Sequence, residues 1–182
     1  AGKSALIMGF GRIGQRVGAL CRALGLRVAA FDPYMERSPV EGVEMVKDFR
    51  AILPETDFLC LHLPSTPETR DLIGAGELAL LKRGAFVLNC ARGGIVDEDV
   101  LCDALESGHL GGAGLDVFAK EPPDTAHRLF RQEKVLLSPH NAALTEECAI
   151  RMATQAVQNV LDCLDGKLQP RVVMNRREIG MA

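Results

Sequence analysis

The chain lacks tryptophan and has a single tyrosine, and aromatic residues make up only 4% of its 182 residues. Its core must therefore be mostly aliphatic, which is typical of a parallel sheet that is buried on both faces. Long hydrophobic runs are missing too, because no stretch reaches the ~18 apolar residues that a membrane span needs and no signal peptide opens the sequence. We therefore expect no membrane partner.

Positive charge and metal-ligand spacings are equally scarce. The formal net charge is −3, and no basic block or RNA-type aromatic motif occurs, so we expect no nucleic-acid partner. The six cysteines form no C-x-x-C pair, and their spacings suit neither a zinc site nor a disulfide framework. The sequence thus predicts no metal site, and its cysteine usage indicates a reducing, cytoplasmic compartment.

What the sequence does contain is an alternation of short apolar runs with helical patterns. This predicts a single α/β domain with a doubly wound parallel sheet, a Rossmann fold. Strands are predicted at residues 4–8, 27–31, 42–46 (at a sheet edge), 58–63, 85–89, 112–116, 135–138 and 172–174. Helices are predicted at residues 12–24, 49–53 and 76–81 and, after the N-caps Asp97 and Thr145, up to about Ser107 and Gly166.

A glycine pattern, GFGRIG, joins the first strand to the first helix, which is the context that supports a dinucleotide-binding loop. In such a loop Gly9 permits a tight turn, Gly11 lets the backbone approach a pyrophosphate, and Gly14 lets helix and strand pack closely. The start of the helix adds unpaired N–H groups and a positive dipole. A plain glycine turn is the alternative interpretation.

An acidic residue, Asp32, ends the second predicted strand 18 residues beyond Gly14. This is close to the ~20 residues expected for the acid that binds the ribose hydroxyls. A carboxylate there would repel a 2′-phosphate, so the sequence favours NAD over NADP as cofactor, although Arg37 lies close enough to keep NADP open. An aspartate that merely starts a turn before Pro33 is the alternative.

Three later segments also follow predicted strands, at the edge where such sheets bind ligands. The loop from His62 to Thr69 could wall the adenine or ribose, or could simply be rigid. Arg92 lies in a glycine-rich turn and could bind a carboxylate through its planar fork, with a surface arginine as the alternative. His140 lies between a strand end and a helix start, where a nearby carboxylate would suit it to proton transfer. A structural or solvated role is assigned to His62, His109 and His127, although His62 could instead line the adenine pocket.

Taken in order, five motifs resemble the D-isomer-specific 2-hydroxyacid dehydrogenase family over about residues 2–168. The motifs are Gly9–Gly14, Asp32–Tyr34, Asn89–Gly94, Asp116–Pro123 and Ser138–His140. The resemblance implies an NAD-dependent interconversion of a 2-keto acid and a D-2-hydroxy acid. It assigns catalysis to Arg92, which would bind the substrate, His140, the general acid and base, and Glu121, the hydrogen-bond partner of His140. The expected cofactor-binding residues are Gly9, Gly11, Arg12, Ile13, Gly14, Asp32, His62, Leu63, Pro64, Thr69, Cys90, Ala91, Asp116 and Ala142, with Asp116 at the nicotinamide carboxamide.

The resemblance also predicts what is missing. Family chains usually begin with a substrate domain, so we interpret residues 1–168 as the NAD-binding domain, without its N-terminal substrate domain. Residues 169–182 are interpreted as a tail that would return to that domain, with Val172, Val173 and Met174 left exposed or disordered. Where the family often has glycine, this chain has Ala142 and Ala143, which could narrow the passage beside the nicotinamide. We therefore expect cofactor binding but little turnover by the chain alone.

Two other functions remain open on sequence grounds. An NAD-sensing transcriptional corepressor of the same fold would keep similar catalytic residues. A formate or phosphite dehydrogenase would use the same arginine and histidine, although formate dehydrogenases usually carry glutamine where Glu121 stands. The resemblance further implies a homodimer, for which Asp97–Leu110 and Glu121–Gln132 are candidate contacts.

Overall fold

A computed structural model describes residues 2–176 and 178–180 of the chain, which form two compact units, one up to His140 and one from Asn141 onward. The first unit holds seven strands: β1 (Ser4–Met8), β2 (Arg27–Phe31), β3 (Val43–Met45), β4 (Phe58–Leu61), β5 (Phe86–Asn89), β6 (Gly112–Leu115) and β7 (Val135–Leu137). They pair in the order β3-β2-β1-β4-β5-β6-β7, and every pairing is parallel. The predicted doubly wound sheet is confirmed, with β3 at an edge.

Three α-helices belong to the first unit, namely α1 (Arg12–Ala23), α2 (Ala75–Leu80) and α3 (Glu98–Glu106), and α4 (Glu146–Leu164) belongs to the second. The α-helix predicted at residues 49–53 is wrong. Those residues form turns, and a 3-10 helix begins at Leu53 with Pro54 in its first turn, where the missing N–H is not needed. The strand predicted at 172–174 is also wrong, because a 3-10 helix occupies Pro170–Val172.

The core of the first unit lies on both faces of the sheet. Alternation along β1 sends Leu6 and Met8 into the cluster that faces α2 and α3, whereas Ala5 and Ile7 enter the cluster beneath α1. Because successive side chains of a strand point to opposite faces, a strand buried on both faces has a continuous apolar run. This explains why β1 could be predicted from its sequence alone.

The second unit is built around α4. Its predicted cap is confirmed, because the Thr145 side chain accepts a hydrogen bond from the N–H of Cys148 at 3.2 Å. No residue of α4 is buried. Further on, Val172 and Met174 are exposed as predicted, whereas Val173 is half-buried. Within the described part of the chain, no helix is both long enough and apolar enough to cross a membrane.

Candidate active site

The predicted site residues lie just beyond the carboxyl ends of the strands. Gly9 follows β1, Asp32 follows β2, His62 follows β4, Arg92 lies beyond β5, and Asp116 comes directly after β6. His140 comes three residues after β7. Because all seven strands are parallel, their carboxyl ends lie at the same edge of the sheet, which is where ligands bind in open α/β sheets.

The glycine loop is shaped by close backbone contacts. Gly9 has a φ of 86°, and a Cβ added there would lie 2.6 Å from the carbonyl oxygen of His62. A Cβ on Gly14 would lie 2.1 Å from the carbonyl oxygen of Gly9. At Gly11, by contrast, a Cβ would meet nothing within 4 Å, so this backbone faces open space at the start of α1. Gly9 and Gly14 are thus required by packing, whereas Gly11 leaves the N–H groups at the start of α1 open to an anion.

The carboxylate of Asp32 is held against this loop. One oxygen accepts a hydrogen bond from the N–H of Phe10 at 2.8 Å, and the other accepts from the N–H of Tyr34 at 2.9 Å. Phe10 itself is fully buried, and a Cβ on Gly18 of α1 would touch its ring at 3.0 Å. The sequence pattern did not indicate that Asp32 and Phe10 join β2 to the glycine loop.

A cavity of about 450 Å³ opens beside the loop, lined by Ile13, His62, Leu63, Pro64, Ser65, Cys90, Ala91 and Arg92. Burial lowers the pKa of His62, which favours its neutral form. Its Nε2 atom is buried and has no hydrogen-bond partner within the described chain. Burial, and secondarily Asp116, raise the pKa of the Cys90 thiol, so this cysteine is held in its protonated form. The cavity thus combines the apolar side chains of the loop after β4 with two polar groups, Nε2 of His62 and the Arg92 side chain.

Thr69 is not among the residues that line this cavity, unlike His62, Leu63 and Pro64. Its hydroxyl donates to the carbonyl of Pro64 at 2.7 Å and accepts from the N–H of Thr66 at 2.8 Å. These bonds hold the loop after β4 in shape. Ala142 lies in the second unit, so its contact with a cofactor stays a prediction.

The pair formed by Glu121 and His140 is the most informative chemical feature of the site. Nδ1 of His140 lies 2.8 Å from one carboxylate oxygen of Glu121, and the other oxygen accepts from the N–H of Phe118 at 3.1 Å. The hydrogen bond with His140, and to a smaller extent the one from Phe118, lower the pKa of Glu121. An ionised carboxylate can only accept hydrogen bonds, so Nδ1 carries the proton and the lone pair of a neutral ring lies on Nε2.

The backbone of His140 is also unusual, because its φ is 54°. Residues other than glycine seldom adopt this left-handed conformation, and such strain is concentrated at functional sites. Glu121 and His140 line a second cavity of about 330 Å³ with Phe118, Pro122, Pro123, Phe130, Leu137, Ser138 and Pro139. Arg92 lines the first cavity instead, where its Nη1 donates to the carbonyl of Ala91 at 2.6 Å.

Asp116 is almost fully buried, and the hydroxyl of Ser138 donates to its carboxylate at 2.6 Å. Ser138 belongs to one of the five motifs, but the sequence patterns predict no role for its side chain. Asp116 and Ser138 are 22 residues apart in the sequence, so no local pattern predicts their contact. They meet because β6 and β7 are neighbours in the sheet.

A glycine cradle at the head of α1, with a carboxylate at the end of β2, defines a dinucleotide-binding domain. Comparison with known proteins narrows this class. Residues 1–142 match the family described as D-isomer specific 2-hydroxyacid dehydrogenase, NAD binding domain. The chain therefore belongs to this family, and its cofactor is NAD.

Individual relatives agree with the family match. D-3-phosphoglycerate dehydrogenase of Methanocaldococcus jannaschii is 40% identical over 174 residues, which cover 94% of this chain and 33% of that protein. Glyoxylate reductase of Aeropyrum pernix is 41% identical over 177 residues, covering 94% and 52%. The NAD complexed form of a D-isomer specific 2-hydroxyacid dehydrogenase from Lactobacillus delbrueckii ssp. bulgaricus has a TM-score of 0.85 at 30% identity, covering 95% and 56%. The chain thus spans between a third and just over half the length of these relatives.

Proposed function

We propose that this chain is the cofactor-binding and catalytic part of an NAD-dependent dehydrogenase that interconverts a 2-keto acid and a D-2-hydroxy acid. The bond between His140 and Glu121, located at the same sheet edge as the glycine cradle and Arg92, carries this proposal. The names of the relatives, which include dehydrogenases and a reductase of small hydroxy and keto acids, support it. They lend no support to the corepressor or formate-type alternatives.

In this proposal NAD supplies or accepts the hydride. The protein binds and orients the substrate and the cofactor, and it moves a proton. Nε2 of His140 gives a proton to the carbonyl oxygen of the keto acid during reduction and takes it back during oxidation. Glu121 accepts from Nδ1, fixes the ring orientation and compensates the charge of the imidazolium. Asp116 contacts the nicotinamide carboxamide.

Arg92 binds the substrate carboxylate in this proposal. Arg92 is an exposed residue whose Nη1 donates to the carbonyl of Ala91, which leaves further N–H groups of the guanidinium for a bidentate carboxylate contact. A lysine could supply the charge but not the planar fork. Arg92→Lys is therefore expected to weaken substrate binding more than cofactor binding.

The assembly and cellular location belong to the same proposal. Homodimerisation, with Asp97–Leu110 and Glu121–Gln132 as candidate contacts, and a cytoplasmic location both stay predictions. For the 182-residue chain alone we propose cofactor binding with little turnover.

Calorimetric titration of the chain with NADH and with NADPH tests the cofactor part. We expect NADH to bind more tightly than NADPH. Asp32→Ala should weaken NADH binding roughly tenfold and reduce the preference for NADH over NADPH, because hydrogen bonds to a charged group contribute about 1.5–3 kcal/mol. Glu36→Ala is the matched control, since it removes an exposed negative charge four residues away. Failure of NADH to bind, or equal losses in both variants, would contradict the assignment of Asp32.

A further inference from the structure

The turn that carries Glu121 is exposed along its whole length. Ala119, Lys120, Glu121 and Pro122 are all exposed, whereas Phe118 just before them is buried. We call residues 119–122 the Glu121 turn. An exposed turn samples many conformations unless its backbone is tied down, yet the 2.8 Å contact with His140 needs one defined position of the carboxylate.

One anchor of the Glu121 turn comes from α3. A carboxylate oxygen of Glu98 accepts a hydrogen bond from the N–H of Ala119 at 2.6 Å. Glu98 is the first residue of α3, and its own position is set by Asp97, whose side chain accepts from the N–H groups of Asp99 and Val100 at 3.1 Å each. The residue that holds Ala119 therefore belongs to the capped end of a helix and not to another loop.

A second anchor comes from the turn that carries Arg92. A Cβ on Gly93 would lie 1.7 Å from the carbonyl oxygen of Phe118 and 2.1 Å from its carbonyl carbon. The two backbones thus cross in direct contact at the peptide where the Glu121 turn begins. The Arg92 turn is itself fixed by the buried Asn89, whose amide donates to the carbonyl of Arg92 at 2.9 Å and accepts from the N–H of Ala91 at 3.1 Å.

These contacts form a continuous path from the substrate-binding arginine to the proton-transfer pair. We propose that Glu98 is a positioning residue. By holding Ala119 beside the crossing of Gly93 and Phe118, it fixes Glu121, and through Glu121 the ring of His140, relative to Arg92. Glu98 acts through the Glu121 turn and not on the substrate, and the roles of the three residues it positions rest on the proposed function.

The test uses the 182-residue chain and the variants Glu98→Ala, Glu98→Gln and Asp99→Ala. The carboxyl group of Glu121 is titrated by carbon-detected NMR in each. Loss of a negative charge at position 98 would by itself lower the pKa of Glu121. Release of the turn has the opposite sign, because a weaker hydrogen bond from His140 raises that pKa towards its ordinary value. The direction of the shift therefore separates positioning from simple charge.

We expect the pKa of Glu121 to rise in Glu98→Ala. It should not rise in Glu98→Gln, whose side-chain carbonyl still accepts from Ala119, or in Asp99→Ala, which removes a charge from the next residue without touching the turn. A pKa of Glu121 that stays unchanged or falls in Glu98→Ala overturns the proposal. So does a rise of the same size in all three variants.

Thermal unfolding and NADH titration of the same variants distinguish a positioning role of Glu98 from a purely stabilising one and from a failure of the proposed function. Glu98→Ala should bind NADH as the wild-type chain does, because the glycine loop and Asp32 are unaffected. A lower melting temperature without a shift of the Glu121 pKa would show that Glu98 only stabilises the fold, and the proposal would fall. If the wild-type chain binds no NADH, the proposed function fails, whereas the NMR result still decides whether Glu98 fixes the turn.

Discussion

At the scale of single residues, the orientation of buried polar groups is the main feature that the structure adds. Asp116 is 4% exposed, so its carboxylate has little solvent to stabilise it and depends on protein donors such as Ser138. In the proposed function this carboxylate contacts the nicotinamide end of the cofactor, whereas the adenosine end lies near Asp32 and the loop after β4. Ser138 should therefore matter for one half of the cofactor only.

We predict that Ser138→Ala weakens NADH binding about fivefold, because one hydrogen bond contributes about 1 kcal/mol. Binding of ADP-ribose, which lacks the nicotinamide, should be unchanged. Ser138→Thr keeps the hydroxyl and is the matched control. Calorimetric titration with both ligands checks this, and an equal loss for NADH and ADP-ribose would mean that Ser138 supports the whole cleft and not Asp116.

At the scale of secondary-structure elements, the caps are sequence features whose effect can be measured. Asp97 caps α3 with two hydrogen bonds, at Asp99 and Val100. We predict that Asp97→Ala lowers the free energy of unfolding by about 1 kcal/mol, because these N–H groups lose their side-chain acceptor. Denaturant unfolding of the chain measures the change.

The control for this prediction lies in the same helical turn. Asp99 has a side chain that is 74% exposed and lies 3.6 Å from His127, a surface pair of small expected energy. Asp99→Ala should therefore be nearly neutral. If it destabilises the chain as much as Asp97→Ala does, the loss comes from negative charge near the helix N-terminus and not from the cap.

At the scale of the whole unit, a buried aspartate that pairs with two partly exposed lysines joins distant parts of the chain. Asp57 has a side chain that is 6% exposed and pairs with Lys3 at 2.8 Å and Lys82 at 2.9 Å. Its other oxygen accepts from the N–H of Ser4 at 3.0 Å. Burial alone would raise the pKa of Asp57, but the bonds to Lys3, Lys82 and Ser4 hold it well below its usual range.

This shift predicts an acid dependence of stability. An unfolded aspartate takes up a proton near pH 4, whereas folded Asp57 stays ionised to lower pH, so its contribution is complete above about pH 4 and is lost as the pH falls towards the folded pKa. Denaturant unfolding between pH 6 and pH 3 should show a steeper loss in the wild-type chain than in Asp57→Asn. Parallel curves would contradict the role of Asp57.

The seven strands and the two capped helices could be predicted from the sequence because their signals are local. A buried parallel strand must be apolar, and a cap must place an acceptor beside free N–H groups, so residues 4–8 and Asp97 each carry their own evidence. The predictions at residues 49–53 and 172–174 were wrong because such short segments carry too little local preference to set their own structure. The glycine spacing and the family motifs likewise indicated the NAD-binding class.

The contacts between these residues depend on the tertiary fold. Glu121 and His140 are 19 positions apart, and Glu98 and Ala119 are 21 apart, so no local pattern relates them. They come together because parallel strands place their carboxyl ends at one edge and the loops beyond them must pack there. The crossing of Gly93 and Phe118 is likewise a contact between loops that are distant in sequence. Local sequence preferences thus set most of the strands and helices and supply the chemical groups, whereas long-range contacts within the sheet set the geometry of the site.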